Sequence, residues 1–114
     1  MDASSGPNYP QRLILFSQEA ALDLAEIHTH TTREWGWDQA ERYIEFITDE
    51  AQRTADDLSR GRPVADRPRK FLVTVKWPVA RYTHRIIYEV FPEGIYVLRV
   101  LHGAMDLQRH INPE

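Results

Sequence analysis

The spacing of the apolar residues changes once along this 114-residue chain, and that change limits the folds it can adopt. Between residues 20 and 58 apolar side chains recur at steps of three and four, which is typical of amphipathic helices. Between residues 71 and 102 they alternate with polar ones, which is typical of strands. Hairpin turns link these strands, so we predict a mainly antiparallel sheet and the α+β fold class.

Two helices are predicted in the first half of the chain. The first is capped at Ser17 and ends at Gly36, and the second begins at Asp38, forms a capping box with Glu41 and ends before Gly61. The apolar stripe of the first helix comprises Ala20, Leu24, Ile27, His28, Thr31 and Trp35. The stripe of the second comprises Ala40, Tyr43, Ile44, Ile47, Ala51, Ala55 and Leu58. The short link between them predicts an antiparallel helical hairpin.

One strand is predicted before the helices and three after them. Residues 12–16 form a short apolar run, which suits a strand buried on both faces. The later strands span residues 71–77, 82–91 and 95–102. Residues 104–111 could form one or two helical turns. The predicted order is therefore β-α-α-β-β-β(-α), with the helical hairpin packed on a small sheet.

Composition excludes several classes of protein. The chain has no cysteine, so a disulfide framework, a thiolate nucleophile and a cysteine-ligated metal site are excluded. No apolar run is long enough to span a membrane, and no signal-peptide pattern is present. We expect a cytoplasmic protein in which residues 1–9 are a flexible arm and residues 10–112 form a single domain.

The net charge of −3 combines two unlike halves. Residues 1–58 carry a net charge of −8, and we attribute it to acidic side chains on the solvent-facing side of the helical hairpin. Residues 59–114 carry +5, mostly as arginine, which favours bidentate pairing with carboxylates or phosphates. The sheet is therefore expected to hold an acidic protein partner or a single-stranded nucleic acid.

The last predicted strand is apolar on both faces, although one face of a small antiparallel sheet normally contacts water. Strict alternation places several apolar and basic side chains together on the face away from the helices. They are Ile95, Val97, Arg99 and Leu101, with Lys76, Arg85 and Ile87 from neighbouring strands. An apolar strip flanked by cations indicates a surface that binds a partner. The alternative is that the C-terminal segment covers this face.

Residues suited to catalysis are few. His84, His102 and His110 are the acid–base candidates at neutral pH, and a structural role is the simpler interpretation of each. His28 and His30 stand two apart on a helix and do not face one another, so a metal pair is not expected there. A glycine-rich phosphate loop and a His-Glu-x-x-His signature are both absent. No metal and no cofactor is predicted.

Short motifs recur along residues 11–111 in a specific order and spacing. They are Phe16-Ser-x-Glu-Ala20, Asp23-Leu-x-x-Ile27, Trp35-Gly36, Ala40-Glu-Arg-Tyr43, Gly61-Arg-Pro63, Arg99-Val-Leu-His-Gly103, Met105-Asp-Leu107 and Arg109-His110. With these motifs the chain resembles the ParE branch of the RelE/ParE toxin superfamily. The predicted order of helices and strands is also the fold of that family.

The resemblance implies the toxin of a bacterial type II toxin–antitoxin system. Such a toxin inhibits DNA gyrase without a cofactor or an enzymatic activity of its own, and a ParD-like antitoxin wraps and neutralises it in a hetero-oligomer. DNA would be contacted only through the antitoxin or gyrase. The expected antitoxin-binding residues are Arg85, Ile87, Ile95, Val97, Arg99 and Leu101. The expected target-binding residues are Arg81, Tyr82, His102 and Arg109.

The RelE branch of the superfamily supplies an alternative function. Its members cut mRNA at the ribosome, and many use a C-terminal tyrosine that this chain lacks after Met105. A ribonuclease would use Lys70, Lys76, Arg81 and Arg85 to stabilise the transition state, with His110 as a substitute acid. A third hypothesis is an inert relative that retains only antitoxin binding.

Overall fold

The structure, a computed structural model, describes residues 11–77, 82–103, 105 and 107–111. The elements in chain order are β1 (Leu13–Phe16), α1 (Gln18–Trp35), α2 (Trp37–Asp56), a 3-10 turn (Leu58–Arg60), β2 (Arg62–Pro63), β3 (Phe71–Trp77), β4 (Tyr82–Phe91), β5 (Gly94–His102) and α3 (Leu107–His110). The α+β class and the order of the main elements are confirmed, whereas the short strand β2 was not among the predicted strands. The predicted arm, residues 1–9, lies outside the described residues. None of the helices in the described segments combines the length and apolar character of a membrane span.

The five strands form one sheet in the order β1-β5-β4-β3-β2. β1 pairs with β5 in parallel, and the other neighbours are antiparallel, so the sheet is mainly antiparallel as predicted. The prediction that β1 is buried on both faces is wrong. Ile14 and Phe16 pack against the core, but Leu13 and Leu15 point away from it and are half exposed, because the helices cover only one face of this edge strand.

The helical hairpin starts and turns where capping residues require it. The Ser17 hydroxyl caps α1 by accepting a hydrogen bond from the third N–H that follows it (2.9 Å), as predicted. Gly36 ends α1 with φ at +92°, a conformation that glycine adopts without strain, and α2 begins at the next residue. Asp38 therefore lies inside the first turn, and the predicted capping box is wrong. α2 ends earlier than predicted, because the Asp57 carboxylate accepts hydrogen bonds from Ser59 and starts the 3-10 turn.

The main core lies between the hairpin and the inner face of the sheet. It is built from Ala20, Tyr43, Ile47, Ala51, Ala55, Val73, Val75, Ile86, Tyr88, Ile95, Val97 and Val100. Five of these residues come from the predicted helical stripes, and the others from the alternating strands. Burial of this apolar surface is the main stabilising contribution to a domain of this size.

A bulge in β5 changes which of its side chains face the helices. Tyr88 of β4 pairs with Val97, but the preceding residue Ile87 pairs with Arg99, so Leu98 is an extra residue. Ile95 and Val97 before the bulge are fully buried beneath the helices. The prediction that they share an exposed face with Leu101 is therefore wrong, because the inserted residue reverses the alternation.

The outer face of the sheet carries a second apolar cluster. It comprises Val64, Leu72, Ile87, Leu101 and Ile111, with Leu98, Met105 and Leu107 partly buried against it. Ile87 and Leu101 are on the predicted outer face, but they are fully buried. Residues of the C-terminal segment cover them, so the alternative assignment for this part of the face is the correct one.

Candidate protein-binding surfaces

An exposed apolar surface remains on the outer face, beside the second cluster. We call it the outer strip, and it consists of Leu13 and Leu15 of β1 with Tyr96 and Leu98 of β5. Leu13 is 52% exposed, Leu15 is 50% exposed and Tyr96 is 37% exposed, while Leu98 is half-buried. Leu15 and Tyr96 are direct partners in the ladder, which brings their side chains together. Contiguous exposed apolar side chains of this kind are typical of a protein–protein contact.

Three arginines hold the C-terminal segment through its backbone carbonyls. Nη2 of Arg85 donates to the carbonyl oxygens of Gly103 (2.7 Å) and Met105 (2.8 Å). Nη1 of Arg99 donates to the carbonyl of His110 (3.1 Å), and Nε of Arg67 donates to that of Ile111 (3.4 Å). Nη2 of Arg85 and the guanidinium of Arg99 therefore serve contacts within the chain, and the expected role of these two arginines in binding antitoxin stays a prediction.

Arg99 also forms a bidentate pair with Asp23 of α1. Nε and Nη2 of Arg99 lie 2.8 and 2.9 Å from the two Asp23 oxygens, and the Val100 N–H donates to Oδ2 of Asp23 (2.9 Å). Hydrogen bonding to Asp23 raises the pKa of Arg99 above its usual value. Because β1 ends at Phe16, opposite Val97, the edge of β5 beyond it is open to α1, and the Asp23 carboxylate joins helix and strand there. Sequence reasoning missed this role, although Asp23 lies four residues before Ile27 and hence on the apolar stripe.

The residues of the ribonuclease hypothesis have different surroundings. Lys70 is buried, and its Nζ pairs with Oε2 of Glu89 at 3.0 Å. Arg85 is engaged by the carbonyls described above. Lys76 is exposed on β3, and His110 lies in α3 with its carbonyl bound to Arg99. Two of the proposed catalytic cations are thus committed to internal contacts.

The four expected target-binding residues are only partly described. His102, at the end of β5, and Arg109, in α3, are both exposed. Arg81 and the side chain of Tyr82 lie outside what the structure describes. His102 and Arg109 therefore stay predictions that are compatible with contact to another protein.

A groove of about 350 Å³ lies between α1 and the ends of β4 and β5. We call it the histidine groove, because its lining includes His30, His84 and His102. His84 is buried, its Nδ1 lies 2.6 Å from the hydroxyl oxygen of Tyr43, and its ring centroid is 5.4 Å from that of His102. In the described part of the chain, no three His, Asp or Glu side chains are arranged to hold a metal ion.

Acidification is expected to destabilise the protein through His84. Burial, with smaller contributions from neighbouring His102 and His30, lowers the pKa of His84 from 6.5 to about 4. Between these values the unfolded chain binds a proton that the folded one does not, so the free energy of unfolding falls as pH drops from 6.5 toward 4. The lost stability is roughly 3 kcal/mol at the acid end.

Urea unfolding across this pH range measures the effect. His84→Asn is expected to flatten the pH profile. Parallel profiles for wild type and His84→Asn would show that another group controls the acid sensitivity.

Comparison with known proteins agrees with this architecture. The sequence matches the family model described as the ParE toxin of type II toxin–antitoxin systems, parDE, over residues 14–107. Among solved structures the fold is similar to a chain of the chromosomal ParDE toxin–antitoxin system from P. aeruginosa, with a TM-score of 0.66 and 20% sequence identity. That match covers 81% of this chain and 96% of the other. No curated protein sequence matches significantly. Since the family model spans most of the chain, this protein belongs to the ParE toxins of type II toxin–antitoxin systems.

Proposed function

We propose that this toxin inhibits DNA gyrase, and so blocks replication, and that a ParD-like antitoxin neutralises it in a cytoplasmic hetero-oligomer. The observation that carries the proposal is the family match over residues 14–107, which includes α1, α2 and the three longer strands β3, β4 and β5. The engagement of Lys70 and Arg85 in internal contacts favours a toxin that acts by binding over a ribonuclease that uses them in catalysis.

The outer strip is the surface we assign to the antitoxin. An apolar segment laid on it would remove two leucines and a tyrosine from water, and each large apolar side chain contributes about 1.5–3 kcal/mol when fully buried. The strip also continues into the outer cluster through Leu98, which is partly buried against it. Exposed Arg109 and His102, with Arg81 and Tyr82, remain our assignment for contact with gyrase.

Replacing Leu15 by arginine should weaken antitoxin binding by about 30-fold or more, because a charged group would replace an apolar contact at the centre of the strip. Leu15 is half exposed, so the substitution should leave the fold intact. The matched control is Leu22→Arg, since Leu22 is an exposed leucine on α1 rather than on the sheet. Titration calorimetry with the antitoxin from the neighbouring open reading frame gives the dissociation constants of the two variants. Equal affinities for the two variants would place the antitoxin elsewhere.

Induced expression in a bacterial host tests the function itself. We expect growth arrest with induction of a DNA-damage reporter, and relief when the antitoxin is co-expressed. Growth arrest with rapid loss of mRNA and a silent reporter would support the ribonuclease instead. Unaffected growth, with the chain present and folded, would identify an inert relative.

A further inference from the structure

The face of α1 that borders the histidine groove has more carboxylates than cations. The negative charges of Glu19 and Glu26 both attract the Arg99 guanidinium, in addition to its bidentate partner Asp23. Glu26 is exposed, lines the groove, and forms no hydrogen bond or ion pair within the described residues. Among the residues that line the groove, Asp23 and Glu26 carry negative charge and Arg99 carries positive charge, which leaves an excess of one carboxylate.

The rest of the groove lining suits a long side chain with a cationic end. Ile27, Val100 and Met105 supply apolar walls against which an aliphatic stem could lie. Thr31 also lines the groove, and its Oγ1 is buried without a hydrogen-bond partner in the described part of the chain. A buried hydroxyl normally has a partner, so the Thr31 oxygen has unused capacity to accept a hydrogen bond from a donor in the groove.

We propose that the histidine groove receives an arginine side chain of the antitoxin, with its guanidinium directed at Glu26 and Thr31. Arginine fits better than lysine because its planar group carries several donors in a fixed geometry and is more weakly hydrated than an ammonium. Naming the antitoxin as the source rests on the proposed function.

The groove and the outer strip share β5, which is why we assign both to one partner. Leu98 belongs to the strip, and the two residues that follow it, Arg99 and Val100, line the groove. A segment that crosses the open edge of β5 would reach both surfaces. The contact segment then needs a basic residue beside its apolar ones, whereas the charge of the chain halves alone indicated an acidic partner.

The recognition chemistry can be tested on the isolated toxin, without an antitoxin. N-acetyl-arginine methylamide is titrated into labelled protein and compared with the citrulline analogue, which has the same shape but no charge. We expect saturable shifts of the His84, His102 and Thr31 resonances with the arginine probe only. Glu26→Gln should weaken this binding about five-fold, whereas Glu34→Gln on the same helix should not. Equal responses to the two probes, or equal effects of the two variants, would overturn the proposal.

The source of the arginine is tested in the complex. Glu26→Arg should weaken antitoxin binding at least about ten-fold through repulsion, while Glu34→Arg should have little effect. If the antitoxin binds both variants as tightly as the wild type, the groove assignment fails and the proposed function stands. If the arginine probe binds the groove but no antitoxin binds the wild-type toxin, the proposed function fails and so does the assignment of the arginine to an antitoxin.

Discussion

Replacing Asp23 by alanine should lower the free energy of unfolding by about 3 kcal/mol, although Asp23 lies on a helix that faces solvent on one side. Its carboxylate accepts two hydrogen bonds from Arg99 and one from the Val100 N–H. Without it, the partly buried Arg99 guanidinium loses its bidentate ion pair, and the Val100 N–H at the open edge of β5 loses its acceptor. For a domain of this size the midpoint of thermal unfolding should fall by roughly 15 °C.

Thermal and urea unfolding at neutral pH measure this change. Glu34→Ala, which removes an exposed carboxylate from the same helix, is the matched control and should change the free energy of unfolding little. Asp23→Asn should have an intermediate effect, because its amide oxygen can accept the two hydrogen bonds that Oδ2 of Asp23 receives but not the third. If Asp23→Ala is no more destabilising than Glu34→Ala, the carboxylate does not join α1 to β5 in solution.

Replacing Gly94 by alanine should be about as destabilising, at about 3 kcal/mol, and should release β1. A Cβ on Gly94 would lie 1.9 Å from the carbonyl oxygen of Leu13 and 2.7 Å from its carbon, so the backbone of β1 would have to move. Because β5 is the neighbour of β1 among the strands that the structure describes, β1 would lose its place in the sheet together with this ladder. The displaced strand carries Leu13 and Leu15, so antitoxin affinity should fall as well.

Hydrogen exchange of the β1 amides, together with the unfolding midpoint, measures the effect of the Gly94 change. Gly103→Ala is the control, since the nearest atom to its Cβ is the Thr83 methyl carbon, at 3.0 Å. Gly103→Ala should lower the free energy of unfolding by less than Gly94→Ala does, and it should leave hydrogen exchange in β1 unchanged. Retained protection of β1 in Gly94→Ala would contradict the close packing of the two backbones.

The element order could be predicted because the apolar period is a local property of the sequence. Ser17 and Gly36 mark the ends of α1 through their own capping chemistry. The bulge at Leu98 could not be predicted, since apolar residues follow one another in β5 and either register satisfies a strand that is apolar on both sides. One inserted residue moved Ile95 and Val97 from the expected surface into the core.

The candidate surfaces were harder to predict than the fold. The basic half of the chain indicated a cationic face, but Arg85 and Arg99 bind backbone carbonyls, and a sequence does not show which carbonyls lie within reach. The apolar run of β1 is equally compatible with a central strand and with an edge strand that awaits a partner. Only the strand order distinguishes these cases, and it placed Leu13 and Leu15 on the surface.

Trapping of cleaved DNA by gyrase tests the central claim most directly. Purified toxin is incubated with gyrase, ATP and supercoiled plasmid, and the products are separated after detergent and protease treatment. The account predicts linear plasmid that increases with toxin concentration and disappears when the antitoxin is added. Plasmid that stays circular at every toxin concentration, together with mRNA cleavage by the same preparation in a ribosome-programmed reaction, would contradict it.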